Sequence, residues 1–386
     1  MKANPGGVIA PASVYGRDQL ISEFWQRLDQ QCIIMNAERR IGKTSVLRKM
    51  AHDKAEGWFP TLLDLERFHS AEEFAVGVYE QVQGYLKLWK KATNAARKFY
   101  EEHEFEQIKR TSGRRPWKAL LTASIEDLVA QKHEQRVVFL WDEVPYMIDH
   151  IRQADGGQAA LEVLDLLRSL RQEHPTLRMV YTGSIGLHHV LDGIRDGKMS
   201  SEPVNDMYPI EVPPLAEEDA VKLAGDLIRG ENLQVTNLQK TAEVIAEEAD
   251  GFPFYIHHIV AGLRKDRLPA EPNKVRGLVQ QHLLSPNDPW DLGHYRTRIP
   301  AYYTKGNNAQ LVSLILDALA SVEEPLKIAE LHSAINAASA GFGDRDELVR
   351  VLRLMERDHY LIRDTDGRIR FRFPLIRRWW ILDRGL

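Results

Sequence analysis

The feature that most restricts the fold is a short apolar run, Cys32–Asn36, followed by Ala37-Glu38-Arg39-Arg40-Ile41 and then Gly42-Lys43-Thr44-Ser45 at the head of an amphipathic stretch. A bounded apolar run reads as a buried strand, and the periodic stretch after it reads as a helix. A strand feeding a helix in this way aims main-chain N–H groups at one point, where the helix dipole also favours an anion. Gly42 removes the side chain that would block a close approach. The full pattern for such a loop is a glycine, four residues, then Gly-Lys-Ser/Thr. Here Ala37 stands where the first glycine belongs. A Gly-Lys-Thr triplet also arises by chance, so the setting between strand and helix carries the weight.

A second element, Arg136-Val137-Val138-Phe139-Leu140-Trp141-Asp142-Glu143, is an apolar strand ending in two carboxylates. Together the two elements predict a site for ATP with Mg²⁺. Lys43 is expected to reach the β- and γ-phosphates, Thr44 and Asp142 to hold the metal, and Glu143 to orient and deprotonate the attacking water. Taken alone, the second element also fits a buried strand with an acidic exit. A third strand, Leu177-Arg178-Met179-Val180-Tyr181-Thr182-Gly183-Ser184, ends in small polar groups. Ser184, with Thr182 second, is the candidate sensor of the γ-phosphate; the other reading is an ordinary Thr-Gly-Ser turn.

Alternation of short apolar runs with longer amphipathic stretches predicts βαβ units and a parallel sheet over the first part of the chain. The expected strands are Cys32–Asn36, Phe59–Leu65, Val137–Trp141, Leu177–Gly183 and Met207–Val212, with a long helical stretch from Ala71 to Ala130 broken at Ser112–Pro116. Three short helices follow from Glu217 to Lys265, broken at Gly251-Phe252-Pro253. The last part reads as three helices and a hairpin, a winged helix-turn-helix. In its third helix Leu348, Val351, Leu352 and Met355 form a buried stripe. The expected domains are a core at 1–214, a helical lid at 215–267, a Pro-rich linker at 268–304 and the winged helix at 305–386. Trp290, Tyr295, Tyr302 and Tyr303 suggest that parts of that linker dock.

A net charge of −4 excludes a wholesale polycation, so nucleic acid would have to meet a local basic patch. One patch runs from Lys87 through Lys90, Lys91, Arg97, Lys98, Lys109, Arg110, Arg114 and Arg115 to Lys118; the other holds Arg363, Arg368, Arg370, Arg372, Arg377 and Arg378. The single cysteine, Cys32, lies in an apolar run and is expected in the core. No apolar run approaches the ~20 residues that span a bilayer, and the beginning of the chain lacks the apolar stretch of a signal peptide. The expected location is cytoplasmic, with no membrane partner.

Several short motifs resemble those of a known group. Val14-Tyr15-Gly16-Arg17-Asp18 resembles the box that cups adenine in AAA+ and STAND-type ATPases. Arg39-Arg40-Ile41-Gly42-Lys43-Thr44-Ser45 resembles the arginine-bearing loop of the archaeal-type ATPases, and Tyr181–Gly186 resembles their sensor strand. Gly251-Phe252-Pro253 resembles the Gly-x-Pro motif of the STAND lid. The resemblance implies that Tyr15, Gly16, Arg17 and Pro253 hold the base, and that Arg40, Ile41, Gly42, Lys43, Thr44 and Ser45 hold the phosphates. Two departures stand out: Ala37 replaces the leading glycine, and His257 and His258 fall where AAA+ proteins carry a lid arginine. Those histidines also fit a polar lid surface.

The function this implies is an ATP-binding, slowly hydrolysing switch or assembly ATPase in which nucleotide state sets the lid and winged-helix position. The alternatives are an ATP-dependent initiator or loader on double-stranded DNA, and a nucleotide-sensing scaffold recruiting a separate effector, as in phage defence. A homo-oligomer is a further candidate partner. Arg168 or Arg171 then serves as an arginine finger in trans, or simply as a solvated helix face.

Overall fold

Strands covered on both faces must be apolar throughout, and the apolar runs of this chain become the parallel sheet. In the computed structural model, residues 1–88, 116–130, 135–183, 186–195, 202–339 and 344–386 are described. The chain divides into two units: Ala10–Ala37 with Lys43–Val212, and Met1–Ile9 with Glu38–Gly42 and Pro213–Leu386.

The first unit runs α1 (Asp18–Leu28), β1 (Ile33–Asn36), α2 (Lys43–His52), β2 (Trp58–Asp64), α3 (Ala71–Leu88), α4 (Pro116–Val129), β3 (Arg136–Asp142), α5 (Val144–Asp155), α6 (Gly157–Glu173), β4 (Arg178–Tyr181), α7 (Leu187–Arg195) and β5 (Tyr208–Glu211). The strands pair in the order β2-β3-β4-β1-β5, all in parallel. Pro116 begins α4, as the predicted break requires; most of that break lies outside the described residues.

β1 is therefore flanked by β4 and β5, with β3 one strand further away. In open α/β sheets, ligands sit beyond the carboxyl ends of the strands. The core beneath that edge is aromatic. Trp141 is fully buried, stacks on Tyr181 at 5.8 Å, meets Phe74 edge-on at 5.4 Å and donates its indole N–H to Gln81 at 3.3 Å. Cys32 is a buried free thiol, as expected.

The second unit opens its helical part with α8 (Glu217–Gly230), α9 (Leu238–Glu248) and α10 (Pro253–Lys265). Asn237 caps α9 by accepting from the Lys240 N–H at 3.0 Å. The predicted break between α9 and α10 is a left-handed stop. Gly251 has φ 69°, its N–H bonds Ala246 O at 3.0 Å, and a Cβ there would lie 2.7 Å from Leu215 O. Only glycine fits. Pro253 then occupies the first turn of α10, where its missing N–H costs nothing.

Residues 268–304, expected as a linker, hold two helices instead, α11 (Pro272–Leu283) and α12 (His294–Tyr302). Trp290, Tyr295 and Tyr303 are buried there, which is why a Pro-rich segment folds rather than remaining a tether. After it come α13 (Asn308–Ala320), α14 (Ile328–Ala338), α15 (Arg345–Arg357), β6 (Leu361–Arg363), β7 (Ile369–Phe371) and α16 (Pro374–Arg384). β6 and β7 pair antiparallel, and Leu348, Val351, Leu352 and Met355 of α15 are buried. Three helices and a hairpin form the expected winged helix-turn-helix. Among the described residues, no helix is long and apolar enough to cross a membrane.

Candidate functional site

The loop leaving β1 is built from unusual backbone. Arg40 has φ 69° and Gly42 φ 100°, a left-handed pair that ordinary side chains avoid. A Cβ on Gly42 would meet nothing within 4 Å, so the conformation, not crowding, demands glycine there. α2 begins at Lys43, which leaves its first N–H groups without intrahelical partners. The Lys43 side chain is buried, and its Nζ donates to Ala37 O, at the other end of the loop, at 3.3 Å.

β3 delivers the acidic side of the site. Thr44 Oγ1 donates to Asp142 Oδ2 at 2.6 Å. Burial raises the Asp142 carboxyl above the usual range, as do nearby Glu143 and Asp64, while the Thr44 hydrogen bond and Lys43 oppose that rise. Asp64 reaches this place because β2 and β3 pair in register, Asp64 opposite Asp142. Sequence reasoning missed it. Its only signal was a carboxylate ending an apolar run, which means little until strand pairing is known.

Glu143 stands at φ 57° just before α5, a strained conformation for a non-glycine residue that is concentrated at functional sites. Its N–H donates to Asp142 Oδ1 at 3.1 Å. Just past β4, Thr182 donates its N–H to Trp141 O at 3.1 Å, so β4 ends level with the carboxylates. Thr182 Oγ1 is buried and makes no hydrogen bond among the described residues. Ser184 lies outside the described residues. At Gly183 a Cβ would lie 3.5 Å from Glu143 Oε2, which places the two strand ends beside each other.

The donor set fits a hard divalent cation. A hydroxyl and a carboxylate oxygen already touch, and the surrounding negative charge exceeds what Lys43 offsets. Upstream, Gly16 has φ 60°, Arg17 is buried, and Tyr15 is half-buried. Ser45 is half-buried on α2, and Ile41 is buried in the loop. The Arg40 side chain is turned to Asp291 at 2.9 Å and lies over the Phe254 ring at 4.4 Å.

Three sequence expectations change. Arg171 is no solvent-facing finger: it is buried, donates to Asp206 at 2.7 Å and 2.8 Å, and also to Tyr181 Oη at 2.9 Å and Pro203 O at 2.7 Å. Arg168 donates to Glu202 O at 3.2 Å and is half-buried. The basic patch at the wing is also partly committed. Arg363 pairs with Glu356 at 2.8 Å, Arg378 with Glu248 at 2.6 Å, and Arg377 donates to Ala320 O and Val322 O. Of the other patch, Lys118 pairs with Glu162 at 2.9 Å, and residues 89–115 lie outside the described residues. His257 is buried and accepts from the Asn4 N–H at 3.1 Å, so it is not the polar surface that one reading gave it.

No protein-family model matches the sequence, and no curated protein matches it. Solved structures do match. The Walker-type ATPase of Pyrococcus abyssi aligns with TM-score 0.66 at 16% identity, over 95% of this chain and 96% of that chain. The fold is that of a P-loop ATPase. The ORC2 protein of Aeropyrum pernix, solved in ADPNP–ADP complexes, aligns with TM-score 0.53 at 11% identity, over 98% of this chain and 94% of that chain. Both likenesses span nearly the whole length, so the P-loop sheet, the helices after it and the C-terminal part share one order with these proteins.

Proposed function

We propose that this chain binds ATP with Mg²⁺ at the loop 37–44 and hydrolyses it slowly, as a nucleotide-dependent switch of the STAND/AAA+-like type. The observation that carries the reading is the Thr44–Asp142 contact at 2.6 Å, which joins the end of the phosphate loop to the end of β3. In this reading the main-chain N–H groups from Gly42 onward bind the β-phosphate. Lys43 leaves Ala37 O and neutralises the β- and γ-oxygens. Thr44 and Asp142 hold the metal, which supplies charge neutralisation to the phosphates.

Glu143 orients the attacking water and accepts its proton. Its strained backbone keeps the carboxylate at the strand end, beside Gly183. Thr182 offers a buried hydroxyl at the next strand end; together with Ser184 it is the candidate sensor of the γ-phosphate. Tyr15, Gly16, Arg17 and Pro253 are assigned to the base from the motif resemblance. Ala37 in place of the first glycine stiffens the loop, consistent with slow turnover.

Calorimetry with ATP and Mg²⁺ tests the binding. Heat of association is expected for the parent and none for Lys43→Ala; a parent that gives no heat overturns the reading. Glu143→Gln is expected to bind ATP while losing turnover by about 10²-fold or more. Equal turnover in parent and Glu143→Gln points instead to a nucleotide-sensing scaffold. The pairing of Arg363, Arg377 and Arg378 within their own unit favours the switch over a duplex-DNA loader. Salt-sensitive affinity for duplex DNA would reverse that preference.

A further inference from the structure

Glu38, Arg39 and Arg40 form the crown of the phosphate loop, and all three side chains are engaged by groups of the unit they belong to. Glu38 is 3% exposed. Its Oε1 accepts from its neighbour's N–H, that of Arg39, at 2.7 Å and from Arg298 Nη1 at 3.2 Å. Arg298 comes from α12 and lies over the rings of Tyr295 at 4.8 Å and Tyr360 at 4.9 Å. Three residues before that helix begins, Asp291 Oδ2 takes Arg40 Nη2 at 2.9 Å and lies 3.5 Å from Arg39 Nη2.

The turn that carries Asp291 is stiff. Asp288 accepts from the Leu292 N–H at 2.8 Å and the Gly293 N–H at 2.6 Å, and both Asp288 (φ 41°) and Asp291 (φ 55°) are left-handed. A carboxylate is thus held where two loop arginines meet it.

The two ion pairs differ in kind. The Glu38–Arg298 pair is buried, with side chains 2% and 13% exposed, and removing either partner strands the other's charge. The arginines on Asp291 are accessible, with side chains 38%, 29% and 41% exposed for Arg39, Arg40 and Asp291. Such pairs contribute little to stability and exchange readily. A phosphate oxygen is at least as good a partner for a guanidinium fork as a carboxylate.

We propose that Arg298 and Asp291 are positioning residues for the phosphate loop with opposite effects on nucleotide affinity. Arg298, acting through Glu38, holds the loop in the shape that presents its amides. Asp291 occupies Arg39 and Arg40 and competes with the nucleotide's phosphates for them. The inference rests on the loop being a triphosphate site. It adds a regulatory consequence: phosphate on the arginines releases the Asp288–Asp291 turn, while the buried pair keeps the loop tied to α12.

Titration of the full chain with a fluorescent ATP analogue and Mg²⁺ tests this. Asp291→Asn is expected to bind about threefold or more tighter than the parent, and Arg298→Gln about tenfold or more weaker. The charge swap, Glu38→Arg with Arg298→Glu, is expected to recover part of the loss. A purely structural role for Asp291 predicts unchanged or weaker binding, and that result overturns the inference. Should Arg298→Gln fail to fold by thermal melting, Asp291→Asn still decides, because its pair is exposed. Lys43→Ala separates the two claims. If it binds like the parent, the triphosphate reading itself fails. If it abolishes binding while Asp291→Asn does not tighten it, only the positioning inference fails.

Discussion

Thr44 Oγ1 and Asp142 Oδ2 lie 2.6 Å apart although 98 residues separate them in the chain. The contact exists because β1 and β3 end at the same edge of one parallel sheet, with only β4 between them. A helix N-terminus binds anions of many kinds. The carboxylate brought to it narrows the choice to an anion that arrives with a metal.

Thr44→Ala follows directly from that geometry. It removes one oxygen of the metal pair and leaves the loop amides and Lys43 in place. Affinity for Mg·ATP is expected to fall about tenfold or more, while affinity for nucleotide measured in EDTA changes little. Equal losses with and without metal would show that the hydroxyl acts on the loop and not on the metal.

Arg171 gives a stability prediction in place of a catalytic one. Its guanidinium is buried against Asp206, Tyr181 and Pro203. Arg171→Met strands the Asp206 carboxylate and two buried acceptors, at a cost of about 3 kcal/mol, read by urea unfolding. Turnover of Arg171→Met, measured where the variant stays folded, should match the parent, because the guanidinium is used up by Asp206, Tyr181 and Pro203. A folded Arg171→Met that binds ATP but has lost turnover would reinstate the finger.

Three histidines predict how stability depends on pH. Burial depresses His257, His258 and His294 to about 4, against about 6.5 in the unfolded chain. A depressed histidine binds fewer protons folded than unfolded, so its stabilising share is complete above pH 6.5 and shrinks as the pH falls towards 4. For His257, protonation also breaks the hydrogen bond from the Asn4 N–H. Each histidine is expected to remove about 1 kcal/mol by pH 5.5. Buried Asp250, raised to about 6, and Asp142, also raised by burial, oppose the trend, but the depressed histidines, with His282 lowered as well, outnumber them. Urea midpoints from pH 8 to 5 check this, and His257→Gln should flatten the slope; a midpoint that rises on acidification refutes the account.

The sequence by itself determined the elements and their order. Local chemistry suffices for these: the apolar runs that became β1 to β5, Gly251 as a left-handed stop, Pro253 at a helix start, and Gly42 ahead of the lysine. Each depends on neighbours a few residues away, which periodicity and backbone preference encode directly. Only the tertiary structure decided which charged groups are available. Arg171 looked like a free arginine until β4 and the segment at Asp206 enclosed it, and Asp64 looked like a strand end until register set it opposite Asp142. Residues 268–304 looked like a tether until Trp290 and Tyr295 were buried. Charge pairing and burial join residues far apart in the chain. A sequence pattern shows which face of an element is apolar, but not which partner that face or its charged rim will meet.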